Sequence, residues 1–310
     1  MNILMIGGTA FIGPVVANHL EKQGHHITLF HRTKSHRPRF AEIQGDCRSS
    51  EALKAAIETL DPDLIIHMVA MDQSHMEALE KALACRKMKL LLISSADVYR
   101  GFEVFNRLSD APIEAIPFTE QSALRDIPFP YRGKPGMDMW HDYDKILVEQ
   151  AALQSPVLDT TVVRLGMVYG EGDPNRRFKE AIQAMHRGGK TISLHEKIAQ
   201  LQMCKCYVGN VAHGVVLAAQ KGAVGEIYNL ADQRVLSELE WHRRIADLMK
   251  WEGELVVTSD DQDFELGKAV NLEQQLVLDS SKIRKELGFT EIVPLETALL
   301  NTIRWELANE

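Results

Sequence analysis

"NILMIGGTAFIG", Asn2–Gly13, sets an uncharged apolar run directly against a glycine turn. The run reads as a buried strand, and "PVVANHLEKQG" (Pro14–Gly24) after it reads as a helix with Pro in its first turn and Gly just past its end. Between them "GGTAFIG" (Gly7–Gly13) stands where the backbone N–H groups of a helix N-terminus can face a pyrophosphate. Gly7 permits the tight turn and Gly13 the close packing of helix on strand, while Ala10 occupies the middle position, where many such loops carry a further glycine.

The same alternation continues. "HITLFH" reads as the next strand, "SEALKAAIETL" as a helix, "DLIIHMVA" as a third strand, "MEALEKALACRK" as a helix and "KLLLISSA" as a fourth strand. Strand and helix in alternation predict an α/β fold, a doubly wound parallel Rossmann sheet covered by helices. The segment Tyr99–Met139 is irregular, with Pro112, Pro117, Pro128, Pro130 and Pro135, and its length marks it as functional or disordered. Helix resumes at roughly His141 to Leu153, and strands and helices follow to the closing "LETALLNTIRWELAN". We expect a Rossmann domain over 1–165, completed by about 203–235, and a smaller C-terminal substrate lobe from 166–202 and 236–310.

A chain of 310 residues, 45% hydrophobic, has ample material for a core. Its net charge of -8 argues against a nucleic-acid partner, which calls for a basic surface. No signal peptide or membrane-length apolar run is evident, so the expectation is a cytoplasmic protein that does not enter a membrane. Cys47, Cys85, Cys204 and Cys206 form no disulfide framework, and the Cys-x-Cys pair reads as strand residues rather than a metal site. Reduced thiols fit that compartment.

Taken in order, "GGTAFIG", "DLIIHMVA", "LLISSADVY", "YDKILVEQ", "VVRLGMVYGEGD", "YVGNVAHGV", "GEIYNLAD" and "DSSKIRKELGF" give a chain that resembles, over essentially its whole length, an extended short-chain dehydrogenase/reductase of the NAD-dependent epimerase/dehydratase group. The resemblance implies a bound NAD or NADP. Its contacts would come from Gly7, Thr9, Ala10, Phe11, Ile12 and Gly13, then His31 and Arg32, Asp46 and Cys47, Val69 and Ala70, and finally Ser94, Lys145, Leu165 and Val168. Asp46 resembles the Asp that meets the adenine amino group. NAD sites usually end the second strand with a carboxylate for the ribose 2′-hydroxyl. Here His31 and Arg32 are followed by Lys34, Arg37 and Arg39, with no carboxylate until Glu42, so Arg32 could hold a 2′-phosphate and NADP is favoured over NAD.

In the resembled group a Ser or Thr, a Tyr and a Lys act together, with Lys lowering the Tyr pKa and Tyr exchanging a proton with substrate. Ser95 aligns with the hydroxyl and Lys145 with the Lys, but the Tyr position holds His141. His141 shares a helix face with Lys145 if the helix already runs there, and is suited to proton exchange at neutral pH. Tyr143 could serve if the helix begins late, or redox chemistry has been lost. Arg176 and Arg177 could meet an anionic substrate or form a solvated face, and His67 reads as a satisfied core residue. The expected activity is that of an NAD(P)-dependent epimerase, dehydratase or reductase on a hydroxylated, sugar-nucleotide-like small molecule, with a homodimer as one compatible assembly. The competing reading is a non-redox NAD(P)-binding regulatory or partner-binding protein. A likeness of the glycine loop to plastid RNA-associated factors keeps RNA as a minor alternative.

Overall fold

A computed structural model describes residues 1–33, 39–259 and 269–310 of the protein. Its strands are β1 (Asn2–Ile6), β2 (His26–His31), β3 (Ala41–Gln44), β4 (Leu64–His67), β5 (Met88–Ser95), β6 (Leu158–Leu165), β7 (Met167–Tyr169), β8 (Thr191–His195), β9 (Lys205–Tyr207), β10 (Ile227–Leu230) and β11 (Glu254–Thr258). Seven of them form one parallel sheet in the order β10-β6-β5-β4-β1-β2-β3. Two small parallel pairs, β8 with β11 and β7 with β9, lie outside it. The helices that matter to the packing are α1 (Ile12–Lys22), α2 (Ser50–Leu60), α3 (Ser74–Leu83), α4 (Arg100–Phe105), α5 (Lys145–Gln154), α6 (Lys179–His186), α7 (Glu196–Ala199), α8 (Val208–Lys221) and α9 (Glu238–Met249).

Strand β1 shows why the apolar run does not alternate. Ile3 and Met5 enter one core with Val16 and Leu20 of α1 and Val211 and Val215 of α8. Leu4 and Ile6 enter the opposite core with Leu53 and Ile57 of α2, Leu79 of α3 and Val148 of α5. A parallel strand covered by helices on both faces needs apolar side chains on both. Each such fully buried aliphatic side chain stabilises the fold by roughly 1.5–3 kcal/mol. A third cluster, including Tyr99, Phe118, Leu201, Leu276 and Leu278, ties the segment after β5 to the C-terminal part of the chain.

Three local features depart from the sequence reading. Strand β3 pairs in parallel with β2 at the sheet edge, where only one flank carries a partner and its residues are exposed or half-buried. Four residues with so little burial leave no apolar signature, and "DLIIHMVA" and "KLLLISSA" become the fourth and fifth strands. The segment after β5 contains α4 and a 3-10 turn, Asp138–Trp140. Helix α5 begins at Lys145, one turn later than expected, because the Asp144 side chain caps it by accepting from the Ile146 N–H at 3.0 Å.

The chain runs outward from β1 through β2 to β3, then returns to place β4 on the other side of β1. A crevice at the C-terminal ends of the strands belongs at such a reversal. There Gly7 and Gly8 take positive φ, 85° and 88°, and a Cβ on Gly13 would lie 2.2 Å from the Gly8 Cα and 2.4 Å from its carbonyl oxygen. Gly13 therefore serves a close approach of the helix to the turn itself.

Gly13→Ala must displace backbone, and we expect it to lower the urea midpoint by at least about 1–3 kcal/mol of stability. Gly24→Ala is the control: Gly24 has φ +81° and nothing within 4 Å of an added Cβ, so it meets only backbone strain, costing about 1–2 kcal/mol. A loss in Gly13→Ala no larger than that in Gly24→Ala would remove the close-approach account.

Candidate active site

The glycine turn opens on a cavity of about 820 Å³ at the C-terminal ends of β1 to β4. Gly7 and Thr9 line it from the turn, His31 and Arg32 from the end of β2, Asp46 and Cys47 from beyond β3, and Val69 from beyond β4. Phe11 is the N-cap residue of α1, at φ 50°, and Ile12 is its first residue; the Ala10 carbonyl accepts from the Gly13 N–H at 3.1 Å. Burial and the neighbouring Asp46 push the Cys47 thiol up, so it is a neutral wall residue. No described residue pairs with the Arg32 guanidinium, whereas Arg48 beside it is committed to Asp72 at 2.6 Å. Lys34 and Arg37 lie outside the described residues.

The late start of α5 rearranges the expected triplet. His141 lies before the helix, with 59% of its side chain exposed, and bonds Asp142 at 2.9 Å. Asp144 is extended, φ -157° and ψ 103°, and it separates Tyr143 from the helical repeat that would have placed Tyr143 nearly opposite Lys145. Tyr143 is buried, and its hydroxyl donates to Asp97 Oδ2 at 2.6 Å. Ser95 lies beside the same phenol and favours its ionised form, and its Oγ accepts from the Asp97 N–H at 3.2 Å. The site thus brings together Ser95, Asp97 and Tyr143. Tyr131 adds a longer bond to Asp97 Oδ2, 3.3 Å, and packs its ring 5.1 Å from that of Tyr143.

Lys145 is buried between strand ends, with Nζ donating to the Ala70 carbonyl at 2.6 Å and the Ile93 carbonyl at 3.1 Å. Burial lowers its pKa to about 8, against the opposing pull of Asp97 and Glu149. Burial also raises Asp97, outweighing its bonds to Tyr143 and Tyr131 and the charges of Arg125 and Lys145; its Oδ1 is buried without a hydrogen-bond partner among the described residues. Tyr143 is raised well above an ordinary phenol, first by burial and then by the Asp97 carboxylate. At neutral pH Tyr143 is a donor, and Asp97 is the group ready to take a proton. The signal for Asp97 was present in "SSADVY", two residues after Ser95, but nothing in residue type alone distinguishes it from a turn Asp.

Other candidates have structural partners. Ser94 donates to Glu149 at 2.5 Å, away from Ser95, and Leu165 and Val168 are buried in the core on the α1 side. Arg176 bonds the buried Glu306 at 2.8 Å, and Arg177 bonds the buried Asp173 at 2.8 Å, so neither is left for an anionic substrate. His67 is fully buried at the end of β4, yet neither ring nitrogen has a hydrogen bond among the described residues. Burial, aided by His75 and Lys145, holds it well below its usual pKa and hence neutral.

Asp97→Asn tests the electrostatics without activity. Because the folded-state pKa of Asp97 is raised, the native state binds its proton more readily than the unfolded chain does, and its ionisation weakens folding as pH rises through and above the ordinary carboxylate range. The Asn variant should therefore gain stability relative to the wild type in chemical denaturation as the pH is raised from about 4 to about 7.5. A difference that stays flat or shrinks with pH would show that Asp97 is not a strained carboxylate.

Comparison with known proteins agrees with this architecture. The structure of dTDP-glucose 4,6-dehydratase from Bacillus anthracis in complex with NAD matches with TM-score 0.73 and 19% identity, covering 100% of this chain and 97% of that one. UDP-glucose 4-epimerase from Thermotoga maritima with UDP-glucose matches with TM-score 0.74 and 18% identity, over 100% and 99% of the two chains. At these identities the likeness is one of fold. Among curated proteins, the 3 beta-hydroxysteroid dehydrogenase/Delta 5→4-isomerase of Mycobacterium tuberculosis is 23% identical over 260 residues, 79% of this chain and 68% of its own length. Residues 3–231 match the NAD dependent epimerase/dehydratase family, and with the parallel sheet, glycine turn and strand-end cavity in place, the chain belongs to that family.

Proposed function

We propose that the chain is an NAD(P)-dependent epimerase, dehydratase or reductase acting on a hydroxylated, sugar-nucleotide-like substrate. The meeting of Ser95, Asp97 and Tyr143 at the end of β5 carries this reading, since it sets two hydroxyls and a carboxylate at the same end of the parallel sheet as the glycine turn. The cavity fits a dinucleotide on its own terms: a Cβ at Gly7 would stand 2.8 Å from Val69 Cγ1, so only bare backbone lies there, and about 820 Å³ of space continues past Thr9 to Arg32 and Asp46. Gly7, Thr9 and Gly13 would hold its phosphates, and Asp46 and Arg32 its adenosine half. The dinucleotide supplies hydride exchange at its nicotinamide.

Proton handling then falls to the chain. Ser95 and Tyr143 would orient a substrate oxygen. In alcohol oxidation the substrate O–H proton passes to the Tyr143 oxygen as the phenolic proton moves to Asp97 Oδ2, across the 2.6 Å bond. Because Asp97 takes the proton, no phenolate is needed, which fits a Tyr pushed up rather than down. Lys145 holds the ends of β4 and β5 together, and its ammonium favours ionised Asp97.

One observation favours the binding-only alternative: the Lys145 ammonium is bonded to two carbonyls and makes no bond to Tyr143. The two readings separate in one experiment. Purified protein with NADP or NAD and either UDP-glucose or dTDP-glucose is followed by proton NMR for a changed sugar. We expect turnover that falls about 10²–10⁴-fold in Tyr143→Phe and Asp97→Asn and stays within about threefold in His141→Ala. Dinucleotide binding without turnover across a broad panel of hydroxylated substrates would leave the binding-only reading standing.

NADP is the cofactor we infer. The turn after β2 offers Arg32 to the cavity, and His31 there lies 3.4 Å from Glu42, the first carboxylate downstream. Arg32→Ala should reduce the NADP/NAD affinity ratio about tenfold in calorimetric titrations, as expected for loss of a charge-assisted contact. An unchanged ratio would identify Arg32 as ordinary surface. The four free thiols support a cytoplasmic setting.

A further inference from the structure

The cavity wall is built from strand ends and the start of α3, with two exceptions that come from more than sixty residues downstream of Met71 in the chain: Met139 and Trp140. They reach it from the excursion between β5 and α5, in the 3-10 turn Asp138–Trp140. Met139 has 83% of its surface exposed, so the turn stands at the outer margin of the cavity rather than within a core. Trp140 is better held. Its ring packs edge-on against Tyr143 at 5.5 Å, its backbone N–H donates to the Met137 carbonyl at 2.8 Å, and its carbonyl accepts from the Tyr143 backbone N–H at 3.1 Å. Tyr143 is in turn fixed to Asp97.

The half-buried indole is held on one edge at the rim of the cavity, and Trp140 lines that cavity together with residues from the β2 and β3 ends. Val69 and Met71 supply apolar atoms to the same cavity, and Asp46 supplies a carboxylate whose Oδ1 already accepts from the Arg48 N–H at 2.9 Å. Flat apolar faces combined with an acceptor match a nucleobase that bears an amino group, and aromatic side chains gain by stacking on such a base. Resting on the dinucleotide reading above, we propose that Trp140 closes a purine subsite in this cavity and stacks on the adenine of the bound dinucleotide. The same turn carries Tyr143 three residues on, so the contact places the adenosine end of the cofactor and the proton-exchanging phenol on one short piece of chain.

The test uses the full chain, with calorimetric and tryptophan-fluorescence titrations of NADP and of ADP, the latter lacking the nicotinamide. Trp140→Ala should weaken both ligands by about ten- to hundredfold, while Trp140→Phe, which keeps an aromatic face, should stay within a few-fold of wild type. Ligand addition should change the emission of the wild type and leave Trp140→Phe, with Trp241, Trp251 and Trp305 intact, nearly unchanged. Wild-type binding with undiminished affinity in Trp140→Ala, or an identical emission change in wild type and Trp140→Phe, would overturn the stacking role. The fluorescence comparison stands even where the Ala variant fails to fold. Failure of the wild type to bind either ligand overturns the dinucleotide reading itself, which is a separate result.

Discussion

Arg125 and Asp144 are buried together, 1% and 3% exposed, with Nη2 and Oδ1 3.0 Å apart, and the placement of the site depends on that pair. Asp144 also accepts from the Ile146 N–H, which starts α5, and from the Phe129 N–H at 3.0 Å, which pins the preceding excursion. Arg125 reaches back to the Asp97 carbonyl at 2.7 Å and the Ile127 carbonyl at 2.6 Å. A buried ion pair adds little net stability over a well-packed apolar one, but removing one partner costs about 3–5 kcal/mol. Its effect here is on register. Because Asp144 is the cap, Tyr143 precedes the helix and turns inward, and His141 is left in solvent.

That register sets up an unusual electrostatic balance around Asp97. Three groups within one cluster are each held against their charged forms by burial: Lys145 is lowered to about 8, and Asp97 and Tyr143 are both raised. The Lys145 ammonium and the Asp97 carboxylate favour each other's charge, while the carboxylate opposes a Tyr143 phenolate. The stable neutral-pH arrangement is therefore a neutral Tyr donating to Asp97, with the cation behind it. Proton movement between Tyr143 and Asp97 needs only a short transfer. A Tyr–Lys pair would instead need the phenolate that this surrounding disfavours.

Much of the fold was legible because parallel strands buried on both faces leave unbroken apolar runs and because Gly7 and Gly13 mark a turn with no room for side chains. The edge strand β3 escaped since its four residues are barely buried. In the site, Ser95 and Lys145 could be located at the end of β5 and the start of α5, and Gly7, Thr9, His31, Arg32, Asp46, Cys47 and Val69 line the cavity, whereas Leu165 and Val168 fall in the core and the choice between His141 and Tyr143 could not be made. It turns on whether one Asp of "HDYDK" acts as a cap, and capping by Asp144 rather than Asp142 is decided by a partner, Arg125, that lies 19 residues away in the chain. Arg176 and Arg177 were ambiguous for a similar reason, their carboxylates being Glu306 in the closing helix Leu295–Ala308 and Asp173 just upstream.

The separate fates of Ser94 and Ser95 follow from strand geometry. Successive residues of a strand point to opposite faces, so adjacent serines at the end of β5 cannot serve one purpose. Ser95 meets Tyr143 and Asp97. Ser94 turns to Glu149, which also accepts from Arg164 at 2.7 Å; Arg164 in turn donates to the Tyr99 hydroxyl at 3.0 Å, and that hydroxyl donates to Asn229 at 2.6 Å. This buried chain joins β5, α5, β6 and β10 beneath the site, and burial raises Tyr99 to about 12 despite Arg164, so its hydroxyl stays a donor. Helix α5 is thereby held twice, by Asp144 at its start and by Glu149 one turn further on. With both ends of that turn fixed, Lys145 is held on the Ala70 and Ile93 carbonyls, and its ammonium stays behind the Asp97–Tyr143 bond rather than on the phenol.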